Sequence, residues 1–306
     1  MEIYLPVAQT SVNWAMILGM GAAVGFLAGM LGVGGGFVMT PLLIFYGIPP
    51  AIAVATQASP ISAASFVGAL SQGSKQSVDY KMGLVLLVGG LAGSAIGVIA
   101  FNVLQRLGLL DFVVEFGYVV LLTSIGGLML KESIQVILAT RRGVQIPMHK
   151  PGQHNWIHNL PLKMRFRRSR LYISAVPVVV LGLVVGVMTA ILGTGGAFLL
   201  IPAKIYLLRM RTDIAIGTSQ FQVFFVAAMT TLLHALSDHT VDIVLAFLLI
   251  VGGVLGAQFG IRIQSRLRGE ESRAALAILI LGIAIRLLIG IVVTPGDVYS
   301  VVPETP

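Results

Sequence analysis

Leu31-Gly32-Val33-Gly34-Gly35-Gly36-Phe37, with Pro41 four residues beyond, returns 161 positions later as Leu192-Gly193-Thr194-Gly195-Gly196-Ala197-Phe198, with Pro202 four residues beyond. Each copy interrupts a long apolar run with glycines and restarts it through a phenylalanine and a proline. The correspondence continues outward from these stretches. Ala55-Thr56-Gln57 aligns with Gly217-Thr218-Ser219 at an offset of 162, and Val78-Asp79 with Val241-Asp242 at 163. Gly89-Gly90-Leu91-Ala92-Gly93 aligns with Gly252-Gly253-Val254-Leu255-Gly256, again at 163. So few shifts in register over this length mark a duplication.

The residues around the glycine breaks are apolar enough for lipid. Of 306 residues 57% are hydrophobic and 10% charged, whereas a soluble domain carries about a quarter charged residues. Apolar runs bounded by polar or Gly/Pro breaks give ten candidate spans: 14–31, 35–47, 50–71, 82–104, 112–130, 173–192, 196–208, 213–236, 241–263 and 274–293. A spanning helix needs about 20 residues, so the second and seventh runs are read as short or broken helices. The 36 glycines suit helices that approach closely in lipid. No Lys or Arg precedes Lys75, so the first run lacks the basic flank of a signal peptide and is read as a retained span. Cysteine is absent, which excludes disulfides and thiolate chemistry. The fold class expected is an all-α integral membrane protein.

Five spans per half is an odd number, so the second half enters the membrane from the opposite side, as inverted repeats do. The organisation expected is a first five-helix repeat at 14–131, a basic cytoplasmic loop at 132–172, an inverted second repeat at 173–293 and an extracytoplasmic tail at 294–306. Placing the N-terminus outside puts Lys75, Lys81, Lys131, the basic residues between Arg141 and Arg170, Arg209, Arg211, Arg262, Arg266, Arg268 and Arg273 on the inner face. Arg106 alone falls outside, while Lys204 and Arg286 lie within runs. That asymmetry follows the positive-inside rule. It assigns the net charge of +8 to membrane topology rather than nucleic acid. The chain is expected to be multi-pass in the cell membrane, with both termini extracytoplasmic.

A helix broken at membrane depth exposes amides at the start of the next half-helix, and these carry partial positive charge. They can bind an anion without a full counter-charge. Gly34, Gly35 and Gly36 in the first half, and Gly193, Thr194, Gly195 and Gly196 in the second, are therefore candidate substrate-binding residues. The plainer alternative is that these glycines serve only close packing or a turn. Thr56, Gln57 and Ser59, with Thr218, Ser219 and Gln220, interrupt apolar spans with neutral donors and join the candidate set. Their alternative is hydrogen bonding within and between helices. Arg286 lies inside the last span, where charge is expensive and marks function, and it completes the set. Lys204, near the end of a short helix, either faces a cavity or snorkels to the interface. His234, near Asp238, is read as polarity at the outer end of its span.

No catalytic triad or carboxylate pair is present, and no Gly-Lys-Ser/Thr follows the glycine runs. Neither an enzyme, a cofactor nor a metal is expected. The expected partners are a small anionic substrate and the lipid bilayer, with no nucleic acid. The rival reading is a non-transporting assembly or sensory partner acting through the basic loop.

On Leu31 to Pro41, its echo from Leu192 to Pro202, Gly217-Thr218-Ser219 and Val241-Asp242, the chain resembles the sulfite exporter TauE/SafE family. The resemblance runs from about residue 14 to 293. It implies transport of small sulfur-containing anions such as sulfite, thiosulfate or organosulfonates of the sulfoacetate type across a bacterial cytoplasmic membrane, by alternating access between two repeats. The chain departs from the family pattern in having Ala55-Thr56-Gln57 for a first Gly-Thr-Ser, Gln72 where a histidine is common, and a long basic loop.

Overall fold

The computed structural model describes residues 2–31, 36–74, 76–141, 162–166, 168–169, 171–208, 210–264 and 269–292. Ten helices lie among the described residues: α1 (Trp14–Leu31), α2 (Gly36–Phe45), α3 (Pro50–Ser74), α4 (Tyr80–Arg106), α5 (Leu110–Arg141), α6 (Ala175–Leu192), α7 (Ala197–Tyr206), α8 (Thr212–Ser237), α9 (Ile243–Gln264) and α10 (Gly269–Val292). Six helices, α3, α4, α5, α6, α8 and α9, are long and apolar enough to cross a membrane. Shorter apolar stretches cover Trp14–Met30, Gly36–Phe45 and Leu276–Val292. The chain is thus an all-α, multi-pass membrane protein. At ten residues each, α2 and α7 rise about 15 Å, half of the ~30 Å hydrocarbon core.

Glycines decide which helices touch. The most extensive interfaces join α1 to α9 and α4 to α6. In each, backbones meet where a side chain would not fit: a Cβ on Gly256 would overlap the carbonyl of Ala22, and one on Gly93 the carbonyl of Leu183. A Cβ on Gly25 would overlap the carbonyl of Gly253, and one on Gly186 that of Gly90. These contacts are equivalent under the offsets read from the sequence, because α1 corresponds to α6 and α9 to α4. The remaining large interfaces pair α3 with α8 and α5 with α10, each helix meeting its own counterpart.

Two short hairpins went unread in the sequence. β1 (Glu2–Leu5) pairs antiparallel with β2 (Thr10–Asn13), Glu2 opposite Asn13. β3 (Lys163–Phe166) pairs with β4 (Leu171–Ser174), Lys163 opposite Ser174. The second hairpin lies 161 residues after the first, so the repeat begins before the first apolar run. Leu5 and Val12 are buried in one hairpin, Phe166 and Ile173 in the other. Each hairpin leads into a capped helix: Asn13 Oδ1 accepts from the Ala15 amide at 3.0 Å, and Ser174 Oγ from Val176 at 3.2 Å. Helix α5 continues to Arg141 and β3–β4 falls at 163–174, so part of the segment read as loop carries regular structure. Residues 142–161 and the tail 293–306 lie outside the described residues.

Candidate functional site

The second glycine break is fully described. Helix α6 ends at Leu192, and Gly193, Gly195 and Gly196 follow with φ of 66°, 73° and 69°. The left-handed region is costly for any residue with a Cβ, so this path between α6 and α7 needs glycine. An ending helix leaves its last carbonyls without partners. Here the Gly193 amide donates to Thr189 O at 2.9 Å, and Tyr118 of α5 donates its hydroxyl to Leu192 O. His234 of α8 meets Ala190 O through Nε2 at 3.1 Å and Asp238 Oδ2 through Nδ1 at 3.1 Å. A carbonyl only accepts, so Nε2 carries a proton in this arrangement. His234 is completely buried: it caps the broken helix rather than forming outer-end polarity.

The half-helices α2 and α7 meet at their starts. Phe37 and Phe198, equivalent under the 161-residue offset, stack with centroids 3.9 Å apart and planes 12° from parallel. A Cβ added to Gly36 would lie 2.9 Å from the Thr194 carbonyl, so the first residue of α2 touches the backbone of the second break. Ile61 of α3 fills the angle between them, against both Gly36 and Gly195. Gly193 approaches the Val54 carbonyl of α3. Pro41 and Pro202, inside α2 and α7, lack the amide that would bond to the Phe37 and Phe198 carbonyls. Two helix N-termini, each a region of partial positive charge, therefore converge on glycine backbone. Gly34 and Gly35 lie outside the described residues.

The polar candidates occupy a reciprocal network around this centre. Thr218 Oγ1 accepts from the Asp79 amide at 3.0 Å, and Thr56 Oγ1 from the Asp242 amide at 3.0 Å. Asp79 Oδ1 caps α4 through the Met82 amide, while Oδ2 accepts from the amide and hydroxyl of Ser169 in the β3–β4 turn. Asp242 caps α9 through the amides of Val244 and Leu245 and accepts from Val7 in the β1–β2 turn. Each aspartate thus ties its own helix to the hairpin and threonine of the other half. Each threonine hydroxyl keeps a proton that it can donate. Asp79→Ala and Asp242→Ala are each expected to cost about 2 kcal/mol or more, a lost cap plus hydrogen bonds to a charged group. Thermal unfolding in detergent checks this, with the Asn variants losing less because an amide oxygen can still cap.

Gln57 is buried, and its Oε1 has no partner among the described residues; neither amide atom of Gln222 has one either. Gln222 packs against Gly90, and Gln220 against Gly68. Ser59 is half-buried beside Pro60 in α3. Ser219 is fully buried and accepts from Lys204 Nζ at 2.9 Å, so Lys204 points into the bundle rather than to the interface. Arg286 stands apart: it is exposed on α10, with its guanidinium 5.4 Å from the Phe45 ring centroid at the far end of α2. The structure thus brings together Gly36 and the 193–196 break, and places Thr56 and Thr218 in matched networks. Arg286 is not among these contacts. Tyr118 and Ile61 were missed, having no local pattern to mark them, whereas Asp79 and Asp242 stood in the repeat without an assigned role.

Comparison with known proteins finds relatives along most of the chain. The family model described as "Sulfite exporter TauE/SafE" matches residues 17–287. A "Probable membrane transporter protein" of Xylella fastidiosa (strain 9a5c) is 30% identical over 86% of this chain and 89% of its own length. Two Bacillus subtilis (strain 168) proteins are similar over 98% of their lengths: "Probable membrane transporter protein YjnA", 30% identical over 89% of this chain, and "Probable membrane transporter protein YunE", 24% identical over 90%. No solved structure matches. Matched over most of its length, with both glycine breaks inside the matched region, the chain belongs to the sulfite exporter TauE/SafE family of membrane transporters.

Proposed function

We propose that the protein carries small sulfur-containing anions, such as sulfite, thiosulfate or a sulfonate of the sulfoacetate type, by alternating access between two inverted five-helix units. The observation that carries this reading is the meeting of α2 and α7 at the Phe37–Phe198 stack, with Gly36 against the Thr194 carbonyl. Half-length helices whose positive ends face one another offer an anion oriented amides without a resident charge. The reciprocal α1–α9 and α4–α6 interfaces support two units, 14–131 and 173–293, related by an in-plane axis. The basic residues favour a cytoplasmic 132–172 segment with both termini, including 294–306, outside. Gly34, Gly35, Gly36, Gly193, Thr194, Gly195 and Gly196 would supply backbone. Thr56, Gln57, Ser59, Thr218, Ser219 and Gln220 would supply side-chain donors, while Arg286, exposed on α10, would stand outside the anion's path.

Each negative charge leaving the cell gains about 2.3 kcal/mol per 100 mV of inside-negative potential, enough to drive export without a coupled ion. Proteoliposomes loaded with labelled sulfite, thiosulfate or sulfoacetate test this. The reading expects saturable efflux of at least one anion, faster when the loaded side is negative. Absence of flux for all three at either polarity contradicts it.

A further inference from the structure

Among the described residues, Lys204 is the only Lys or Arg whose side chain is fully buried. Its ammonium has three donors; Ser219 Oγ takes one at 2.9 Å. No carboxylate lies within 4.0 Å of it among the described residues. Asp79 acts on it through space, but both Asp79 oxygens are already occupied by Met82 and Ser169. A buried ammonium with no carboxylate in direct contact is strongly penalised, and an apolar replacement of similar volume is often neutral or stabilising. The molecule carries that replacement itself: under the 161-residue offset the equivalent of Lys204 is Leu43, also fully buried. The architecture of the half-helix therefore does not require the charge.

We infer that Lys204, held by Ser219, is the charge-recognising station of the anion's path, its two remaining N–H groups donating to oxygens of a sulfite or sulfonate head group. The inference rests on the anion-transport reading above. Lys204 lies about two helical turns, roughly 10 Å, beyond the start of α7, so it forms a second station displaced from the glycine break. Because the first half has leucine, the station exists on one side only. In the orientation given by the basic residues that side is cytoplasmic, where an exported anion is loaded.

The test uses the full chain in proteoliposomes, with labelled sulfite and sulfoacetate, comparing wild type, Lys204→Met, Lys204→Arg and Ser219→Ala. Lys204→Met is expected to unfold at or above the wild-type temperature and to raise the KM of the transported anion at least about tenfold, the loss of a charged hydrogen bond. Lys204→Arg should keep part of the affinity, and Ser219→Ala should raise KM less than Lys204→Met. A Lys204→Met protein that transports with unchanged KM overturns the inference and leaves anion transport standing. So does a Lys204→Met protein that unfolds well below wild type while Lys204→Arg and Ser219→Ala keep the wild-type KM, since the charge is then structural. A wild type that moves neither anion, and no thiosulfate either, overturns the transport reading and this inference together.

Discussion

Gly93→Ala and Gly256→Ala will each destabilise the protein, and by nearly the same amount. A Cβ at either position would overlap a backbone carbonyl, Leu183 in one case and Ala22 in the other. A carbonyl within a helix cannot rotate aside as a side chain can, so whole helices must separate. Overpacking of this kind costs about 1–3 kcal/mol, and more where the neighbour cannot give. In lipid the loss falls on the dispersion contacts that hold helices together. Gly282→Ala is the control: nothing lies within 4 Å of its added Cβ, and alanine favours the helix by up to about 1 kcal/mol. Unfolding temperatures in detergent measure all three. Matched losses at Gly93 and Gly256 support the duplication as a physical equivalence, whereas a large loss at one and none at the other would contradict it.

The second large effect falls on transport. Gly195→Ala must adopt a φ of 73°, costing about 1–2 kcal/mol for a residue with a Cβ, and its Cβ would come within 2.5 Å of Ile61 Cγ2. Either the break or α3 shifts. A misplacement of about 1 Å at a working site can cost a hundredfold in rate, and a loss of that order in anion flux is expected. Ile61→Ala in the same chain removes the steric part and leaves the backbone part. Gly195→Ala/Ile61→Ala should therefore recover some flux, which tracer efflux beside the single variants measures. Equal flux in wild type and Gly195→Ala would mean that the break only joins two helices.

The helical architecture and the duplication are legible in the sequence because apolar runs, glycine breaks and Asp79/Asp242 recur at fixed offsets, and lipid admits few other solutions. The meeting of the α2 and α7 starts is foreseeable from inverted repeats, but not the contact that makes it, since Phe37 and Phe198 look like ordinary core residues. The hairpins escaped notice because four-residue strands leave little periodicity, and one of the two lies in a basic segment. Lys204 shows a different limit. One lysine near the end of a short apolar helix fits snorkelling and burial equally well, and Ser219, on the next helix, decides between them. Arg286 shows the converse: charge within a span signals function only if the helix face turns inward, and α10 presents it outward over Phe45. Tyr118 caps a carbonyl 74 residues away, a relation that no local pattern encodes.

The central claim, that the glycine break is where the anion binds, can be read at one position. The chain has no cysteine, so Thr194→Cys places a single thiol inside the break, with Ser74→Cys as an exposed reference on α3. The measurement is the rate of maleimide labelling in proteoliposomes as sulfoacetate is titrated, beside its transport KM. The account predicts that sulfoacetate slows labelling at Thr194→Cys, with half-maximal protection near the KM, and leaves Ser74→Cys unaffected. Saturable sulfoacetate flux with labelling at Thr194→Cys indifferent to the anion would contradict it.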